Sequence, residues 1–501
     1  MSDFDPSAGA IFIDHAYRVL PNLRRTEVLN PATRERAGVI AHCDEAAIEP
    51  VIRRANEAQR SWAALDTKSR AVLLHRLADS IAGGGHRAVA ELMVREMGKP
   101  YAEAVGELMN VAPLYRYFAE LARDDGGQVA GTTQAGSFQH MRYFPYGVSV
   151  HILPFNFPLV LMAFTVAASL AAGNAVIVKP AEATSLCSLR FMEHFRQLPA
   201  GLVACVTGGA ETAQALIRSP ATHVVAFTGS VEAGKRVAVA CAEQLKPCVI
   251  EAGGNDPMIV MDSAPVDVAA AAAVTAAFHL SGQICTSSER FFVHERIHDA
   301  FVAAMVEKTK RLRIGNGMDR TEIGPLVSEA GRAKVMALVD AAVKQGAKIA
   351  CGGRVPPSFN TGWFYEPTVL TDVTPDMAIM QTEVFGPVAP ICRVRDFDEA
   401  IRLANASRFG LGAAIYTTRL DEAMEAVERP EAGMVWVNNV LADNDALPFG
   451  GWKLSGLGRA LGRPGLNAFR QPKMVMFDHK PALQDWWYPY SGAFFAEREQ
   501  L

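Results

Sequence analysis

The sequence predicts an α/β protein of two or three domains, on three observations. Short continuous apolar runs alternate with helical patterns from Val148 onward. Such runs read as strands buried on both faces, which implies a parallel sheet covered by helices. Small or proline-rich junctions follow the runs at Pro154–Pro158, Lys179–Glu182 and Thr228–Ser230, at the carboxyl ends of strands, where such sheets carry functional loops. Finally, 501 residues exceed what one hydrophobic core comfortably holds.

Composition narrows the class. Half of the residues are hydrophobic and 20% charged, which excludes global disorder. A net charge of -4 and the lack of any Lys/Arg run give no case for nucleic acid. Eight cysteines are scattered with neither a CxxC pair nor metal-ligand spacing, so no metal is expected and reduced thiols in a cytoplasm are. The N-terminus (Met1-Ser-Asp-Phe-Asp-Pro) carries no signal pattern. The apolar run from Phe157 to Ala172 is short of the ~20 residues that span a bilayer. A soluble, intracellular protein is expected.

In chain order, Leu29–Thr33 reads as a turn between two short edge strands. Three helices follow, the first capped by Asp44 with Ile48, Val51, Ile52, Ala55 and Trp62 at helical spacing. The second stops at Gly83-Gly84-Gly85 and the third at Gly98-Lys99-Pro100. A long helix is expected from about Ala102 to Asp124, then a protruding hairpin over 136–146. Strands are expected at Val148, Ala175, Val203 and Val224, with helices between, and a second α/β domain from Met258 to Asn438. A last strand lies near Met474–Phe477, followed by the aromatic group Trp486-Trp487-Tyr488. No internal repeat is present.

Five stretches could carry chemistry. Cys285 stands in a loop of small residues, Ser281–Arg290, between a helical and a strand pattern, open to a nucleophile or to a small buried hydrophobe. Asn156, in Pro154-Phe155-Asn156-Phe157-Pro158, has an amide suited to an oxyanion or to a turn. Phe227-Thr228-Gly229-Ser230 opens a helix and suits either phosphate or a tight turn. Glu251 ends an apolar run, where burial would suit it to base work, capping or an ion pair. Glu383-Val384-Phe385 places a carboxylate beside an aromatic ring, for a ribose and nicotinamide or on a surface turn.

Together these stretches resemble the aldehyde dehydrogenase superfamily, in its non-acylating, NAD(P)-dependent form, over essentially the whole chain. Seven motifs stand in the family's order: PFNFP at 154–158, KPAE at 179–182, FTGSxxxG at 227–234, EAGG at 251–254, GQxC at 282–285, ExFGP at 383–387 and PFGG at 448–451. The interval from Glu251 to Cys285 is also the family's. The resemblance implies a Rossmann-variant NAD-binding domain (1–134 and 148–253), an α/β catalytic domain (254–452), and a protruding β oligomerisation element with a C-terminal tail (135–147 and 453–501). It implies that Cys285 attacks an aldehyde, that Asn156 and the Cys285 N–H hold the oxyanion, and that Glu251 activates water on the thioester. NAD, with NADP possible, would meet Pro154, Phe155, Lys179, Glu182, Gly209, Phe227, Gly229, Ser230, Gly234, Glu383 and Phe385. The carboxylate of Glu182 on the adenine ribose favours NAD, because it repels a 2′-phosphate. A homodimer or homotetramer is implied, with the aromatic tail as an intersubunit brace or a lid.

The resemblance leaves the aldehyde open. Counting from the motifs, Leu161, Phe164, Ile284, Thr286, Asp443, Asp445 and Phe449 would line the substrate tunnel. Asp443 and Asp445 could attract ω-amino-aldehydes by charge; the alternative is that both face solvent or cap a turn. Aromatic and aliphatic aldehydes remain open. Rival readings are a CoA-acylating relative, which usually lacks the Glu251 carboxylate, a phosphorylating relative, an inactive structural relative, and a thiol hydrolase without NAD.

Overall fold

The computed structural model describes residues 3–133, 135–484 and 486–499, so the outermost ends of the expected domain ranges (Met1, Ser2, Gln134, Gln500, Leu501) lie outside it. The first sheet has eight strands. Its five parallel strands run in the spatial order Val203–Cys205, Ala175–Lys179, Val148–Ile152, Val224–Gly229, Cys248–Ala252. That order reverses between Val148–Ile152 and Val224–Gly229. A crevice opens at such a switch point, outside the carboxyl ends. Asn156 and Gly229 leave the two strands that flank it. The strands are mostly apolar and buried, apart from the Thr228-Gly229 end that opens to the crevice, as two-sided helical cover requires.

The second sheet has seven strands, parallel except for the edge strand Lys348–Cys351. Asp256–Val260 and Ser288–His294 lie side by side in it. The chain enters from Glu251, crosses Gly253-Gly254, and starts Asp256–Val260 almost at once. Cys285 and Glu383 both precede a strand of this sheet, at its amino end. The site therefore lies between the carboxyl edge of one sheet and the amino edge of the other. No helix among the described residues is long and apolar enough to cross a membrane.

Three expectations change. The long helix from Ala102 is two, Tyr101–Met109 and Val111–Asp124, broken at Asn110. Pro113 explains this: it has no N–H to donate four residues back, and its ring crowds that carbonyl. The expected hairpin over 136–146 is one strand, Ser137–Pro145, which pairs with Gly127–Val129 on one side and Arg470–Asp478 on the other. The expected break at 452 cuts through one packed unit. Strand Gly456–Leu457 pairs with Cys248–Ala252, and Phe449, Leu461, Leu466 and Phe469 are buried in the first core.

Candidate active site

Two clefts meet at one cysteine. The first, of about 530 Å³, lies at the switch point and is lined by Pro154, Phe155, Asn156, Lys179, Glu182, Gly209, Phe227, Gly229, Ser230, Glu251, Glu383 and Phe385. The second, of about 720 Å³, is lined by Leu161, Phe164, Ile284, Thr286, Asp443, Asp445 and Phe449, with Phe157, Glu103 and Glu107. Cys285 lines both.

Cys285 is reached through a constrained turn. Helix Val266–Phe278 ends, and Leu280, Ser281 and Gly282 all take positive φ (54°, 56° and 72°). A Cβ on Gly282 would lie 2.2 Å from the Gly386 carbonyl oxygen, so glycine is required. Burial pushes the Cys285 thiol well above its usual pKa, and the Glu251 carboxylate adds to the shift. The side chain nevertheless keeps partial exposure on the cleft floor.

Glu251 ends strand Cys248–Ala252 and is buried. Neither of its carboxylate oxygens has a hydrogen-bond partner of good geometry, although Cys285 and Thr228 lie near. Burial raises its pKa to about 8, with a smaller push from Glu383 and an opposing pull from Cys285 and Thr228. A carboxyl group so placed can hold or release a proton near neutral pH, as a general base must. Asn156 is buried in the loop before helix Val160–Ala172 and lines the same cleft.

The cofactor side follows from the helix starts. Ser230 caps helix Val231–Ala242, accepting the Ala233 N–H, and leaves a run of backbone N–H donors at the cleft. Gly209 caps Ala210–Arg218. Lys179 is buried and its ammonium donates to the Pro180 carbonyl (3.1 Å), the one side-chain hydrogen bond it makes among the described residues, so donors remain for a ligand. Burial lowers its pKa to about 8 against the pull of Glu182 and Glu211. The Glu182 carboxylate is half exposed, 3.6 Å from His42. Glu383 Oε1 accepts the Gly254 N–H (3.1 Å), and a Cβ on Gly253 would meet that oxygen at 2.3 Å. The Phe155 and Phe385 rings meet edge to face, 5.8 Å apart. These groups suit a dinucleotide laid from Glu182 to Glu383. Gly234 is the exception. It does not line the cleft, and a Cβ there would lie 2.9 Å from Ile250, so it lets helix Val231–Ala242 pack on the sheet.

The profile of the aldehyde dehydrogenase family matches residues 19–475. The chain belongs to that family. It is accordingly an oxidoreductase that oxidises aldehydes with NAD(P), as the motif order implies. This aldehyde dehydrogenase is 33% identical over 487 residues to the betaine aldehyde dehydrogenase of Bacillus subtilis, covering 95% of this chain and 99% of that one. It is 38% identical over 458 residues to an NADP(+) succinate-semialdehyde dehydrogenase of Mycolicibacterium paratuberculosis, with 89% and 95% covered. The crystal structure of a Staphylococcus aureus betaine aldehyde dehydrogenase in complex with NAD+ superposes with a TM-score of 0.92 at 30% identity, over 96% of this chain and 97% of that one.

Several residues that shape this aldehyde dehydrogenase's site escaped the sequence reading. Arg236 and Lys334 line the first cleft. Three buried glutamates each hold two successive backbone N–H groups. Glu96 accepts from Leu186 and Cys187, just after Glu182 (2.7 and 2.6 Å). Glu107 accepts from Leu159 and Val160, just after Asn156 (2.7 and 3.1 Å). Glu289 accepts from Val384 and Phe385, just after Glu383 (2.8 and 2.7 Å), where Phe385 has φ 54°. In the Asp443-Asn444-Asp445 loop the turn bonds are made by Asn444, while Asp443 is exposed and Asp445 half-buried at the mouth of the second cleft. The Asn444 Oδ1 accepts the Ala446 N–H and its carbonyl the Leu447 N–H, and the two aspartates line the cleft.

Proposed function

We propose that this enzyme oxidises a cationic aldehyde to its acid, with Cys285 as nucleophile and Glu251 as base. One observation carries the reading: Cys285, which among the described residues is the one that lines both clefts, stands beside a buried carboxyl group that has no fixed partner. The aldehyde enters by the second cleft, and the Cys285 thiol gives up its proton to bulk water as its sulfur bonds to the carbonyl carbon. The Asn156 amide and the Cys285 backbone N–H donate to the resulting oxyanion. NAD, held by residues such as Lys179, Glu182, Ser230 and Glu383, would supply the acceptor for the hydride on this carbon, whose loss leaves a thioester on Cys285. Glu251 takes a proton from water, which adds to the thioester and releases acid and thiol. The intact Glu251 favours water over CoA as acceptor.

Glu182 at the ribose end supports NAD over NADP. Glu182→Gln is expected to raise kcat/KM for NADP about tenfold, by removing a like charge from the 2′-phosphate; steady-state rates with each cofactor check it.

The second cleft supports the substrate class. It is lined by carboxylates and by the rings of Phe157, Phe164 and Phe449, while no lysine or arginine among the described residues lines it. Glu107 is neutralised by buried Lys99. Burial raises Glu103 to about 8, which leaves Asp443 (raised to about 6 by burial and by Asp445) and Asp445 as the anions at the mouth. A cation gains both charge attraction and aromatic faces. An anionic aldehyde finds no counter-charge.

NADH formation by the purified protein, with NAD or NADP and with or without CoA, tests the whole reading. A trimethylammonio- or ω-amino-aldehyde should exceed succinate semialdehyde in kcat/KM by about tenfold or more at low salt, and the margin should shrink as salt rises. Equal efficiencies without salt dependence would remove the charge argument, and turnover that requires CoA would remove hydrolysis.

A homo-oligomer is part of this proposal. Strand Arg470–Asp478 is a sheet edge with Met474, Met476 and Phe477 exposed, continuous with exposed Trp486, Trp487 and Tyr488. An open apolar edge of this kind calls for a second copy, and we assign the tail to bracing that contact. The eight free cysteines fit a cytoplasmic setting.

A further inference from the structure

Asn156 and Cys285 belong to loops of different sheets, so some third element has to set the distance between them. The short helix Tyr101–Met109 touches both. Glu103 and Glu107 stand one turn apart on one face of it. Glu107 Oε1 holds the Leu159 and Val160 N–H groups, at the start of the helix that follows Asn156. Its Oε2 is bonded to Lys99 Nζ, and both side chains are fully buried. The same ammonium lies 4.1 Å from the ring centroid of Phe157, the residue after Asn156. On the other side, Glu103 Oε2 accepts the Leu280 N–H (3.1 Å) and its Oε1 lies 3.2 Å from His279 Nδ1. Leu280 begins the left-handed run that leads into Cys285.

We infer that Lys99, Glu103 and Glu107 form a bracket that fixes the Asn156 amide and the Cys285 thiol in register for attack. The three are positioning residues, and the inference rests on the roles assigned above to Asn156 and Cys285. Left-handed backbone at non-glycine residues persists only where surroundings over-determine it. Glu103 supplies that at Leu280, beside the Ser281 Oγ bond to the Gly324 carbonyl (2.9 Å) and the Gln283 side-chain bond to the Val327 N–H (2.9 Å). Glu107 does the corresponding work at the opposite loop. Because both anchors stand on one rigid turn of helix, a shift at either is a shift of donor against nucleophile.

The test compares Glu103→Ala, Glu103→Gln and Glu107→Gln with the full-length native enzyme, using propanal, which carries no charge for the cleft to attract. Active sites are counted by titration of bound NAD, so misfolded protein does not enter the rate. Glu103→Ala should lower kcat per active site about 10- to 100-fold, the scale of an ångström-sized misplacement, with KM for NAD within about threefold. Glu103→Gln should recover most of the loss, because its amide oxygen still accepts the Leu280 N–H. In an Asn156→Ala background the Glu103→Ala effect should shrink, as coupled residues require. Unchanged kcat per site in Glu103→Ala overturns the bracket, and so does full additivity with Asn156→Ala. Glu107→Gln leaves Lys99 unpaired; if that variant does not fold, the Glu103 series decides alone. Failure of the mechanism itself reads differently, as turnover that survives in Cys285→Ala while the bracket variants are slow.

Discussion

Cys285→Ala will lose at least about 10³-fold in turnover, the scale seen when a covalent nucleophile is removed, while NAD binding stays within about threefold. The loss should be this large because nothing can stand in. Of the eight free cysteines, only Cys285 lines either cleft. The cofactor contacts lie on other elements: Lys179 and Glu182 after one strand, Ser230 at a helix start, Glu383 held by Gly254. The left-handed turn before Cys285 is held by Glu103, Ser281 and Gln283 and needs no thiol, so the fold should survive. NADH formation and titration of NAD fluorescence separate the two effects. Native turnover in the alanine variant would assign the chemistry to another group and leave Asn156 without an oxyanion to hold.

The parts of the site that could be read from sequence are those whose chemistry needs a particular residue type next to a particular backbone shape. Glu251 and Gly229 stand at ends of apolar runs and Cys285 in a loop of small residues, and their neighbours are small for steric reasons visible in the chain. Gly253 and Gly282 are such cases, each with another group within 2.3 Å of where a Cβ would sit. The alternation of runs and helices was likewise enough for the parallel sheets. Glu96, Glu103, Glu107 and Glu289 were illegible. Each lies in an ordinary polar position of a helix or strand, and its partner is a backbone N–H that any residue would offer, far away in the chain. No residue-type pattern records such a pair. The position of Cys285 at the amino end of the second sheet was also hidden, because apolar runs show strands without showing which ends face a cleft. Gly234 packs helix Val231–Ala242 on the sheet, and in sequence a packing glycine and a ligand-facing glycine look alike.

Glu251→Gln should separate the two halves of the reaction. Attack and hydride removal need the thiol and the oxyanion donors, whereas thioester hydrolysis needs a base for water. The variant is therefore expected to show an NADH burst close to one per active site, followed by a steady rate lower by about 10²- to 10⁴-fold, the usual range for lost general-base catalysis. The native enzyme should show the pH signature of that base. The folded-state pKa of Glu251 is raised to about 8 by burial, so its active, ionised form grows as pH rises and levels off above that value. Steady-state kcat should climb between about pH 6 and 8, and this limb should vanish in Glu251→Gln. The stability sign is opposite. An unfolded glutamate ionises near 4.3, so between there and about 8 the folded state binds the extra proton, and stability falls with rising pH. Glu251→Gln, which keeps the shape without the ionisation, should flatten that part of the Tm profile. Activity and stability thus pull in opposite directions on one carboxyl group, as expected where a buried base is kept without a partner so that it can take a proton from water.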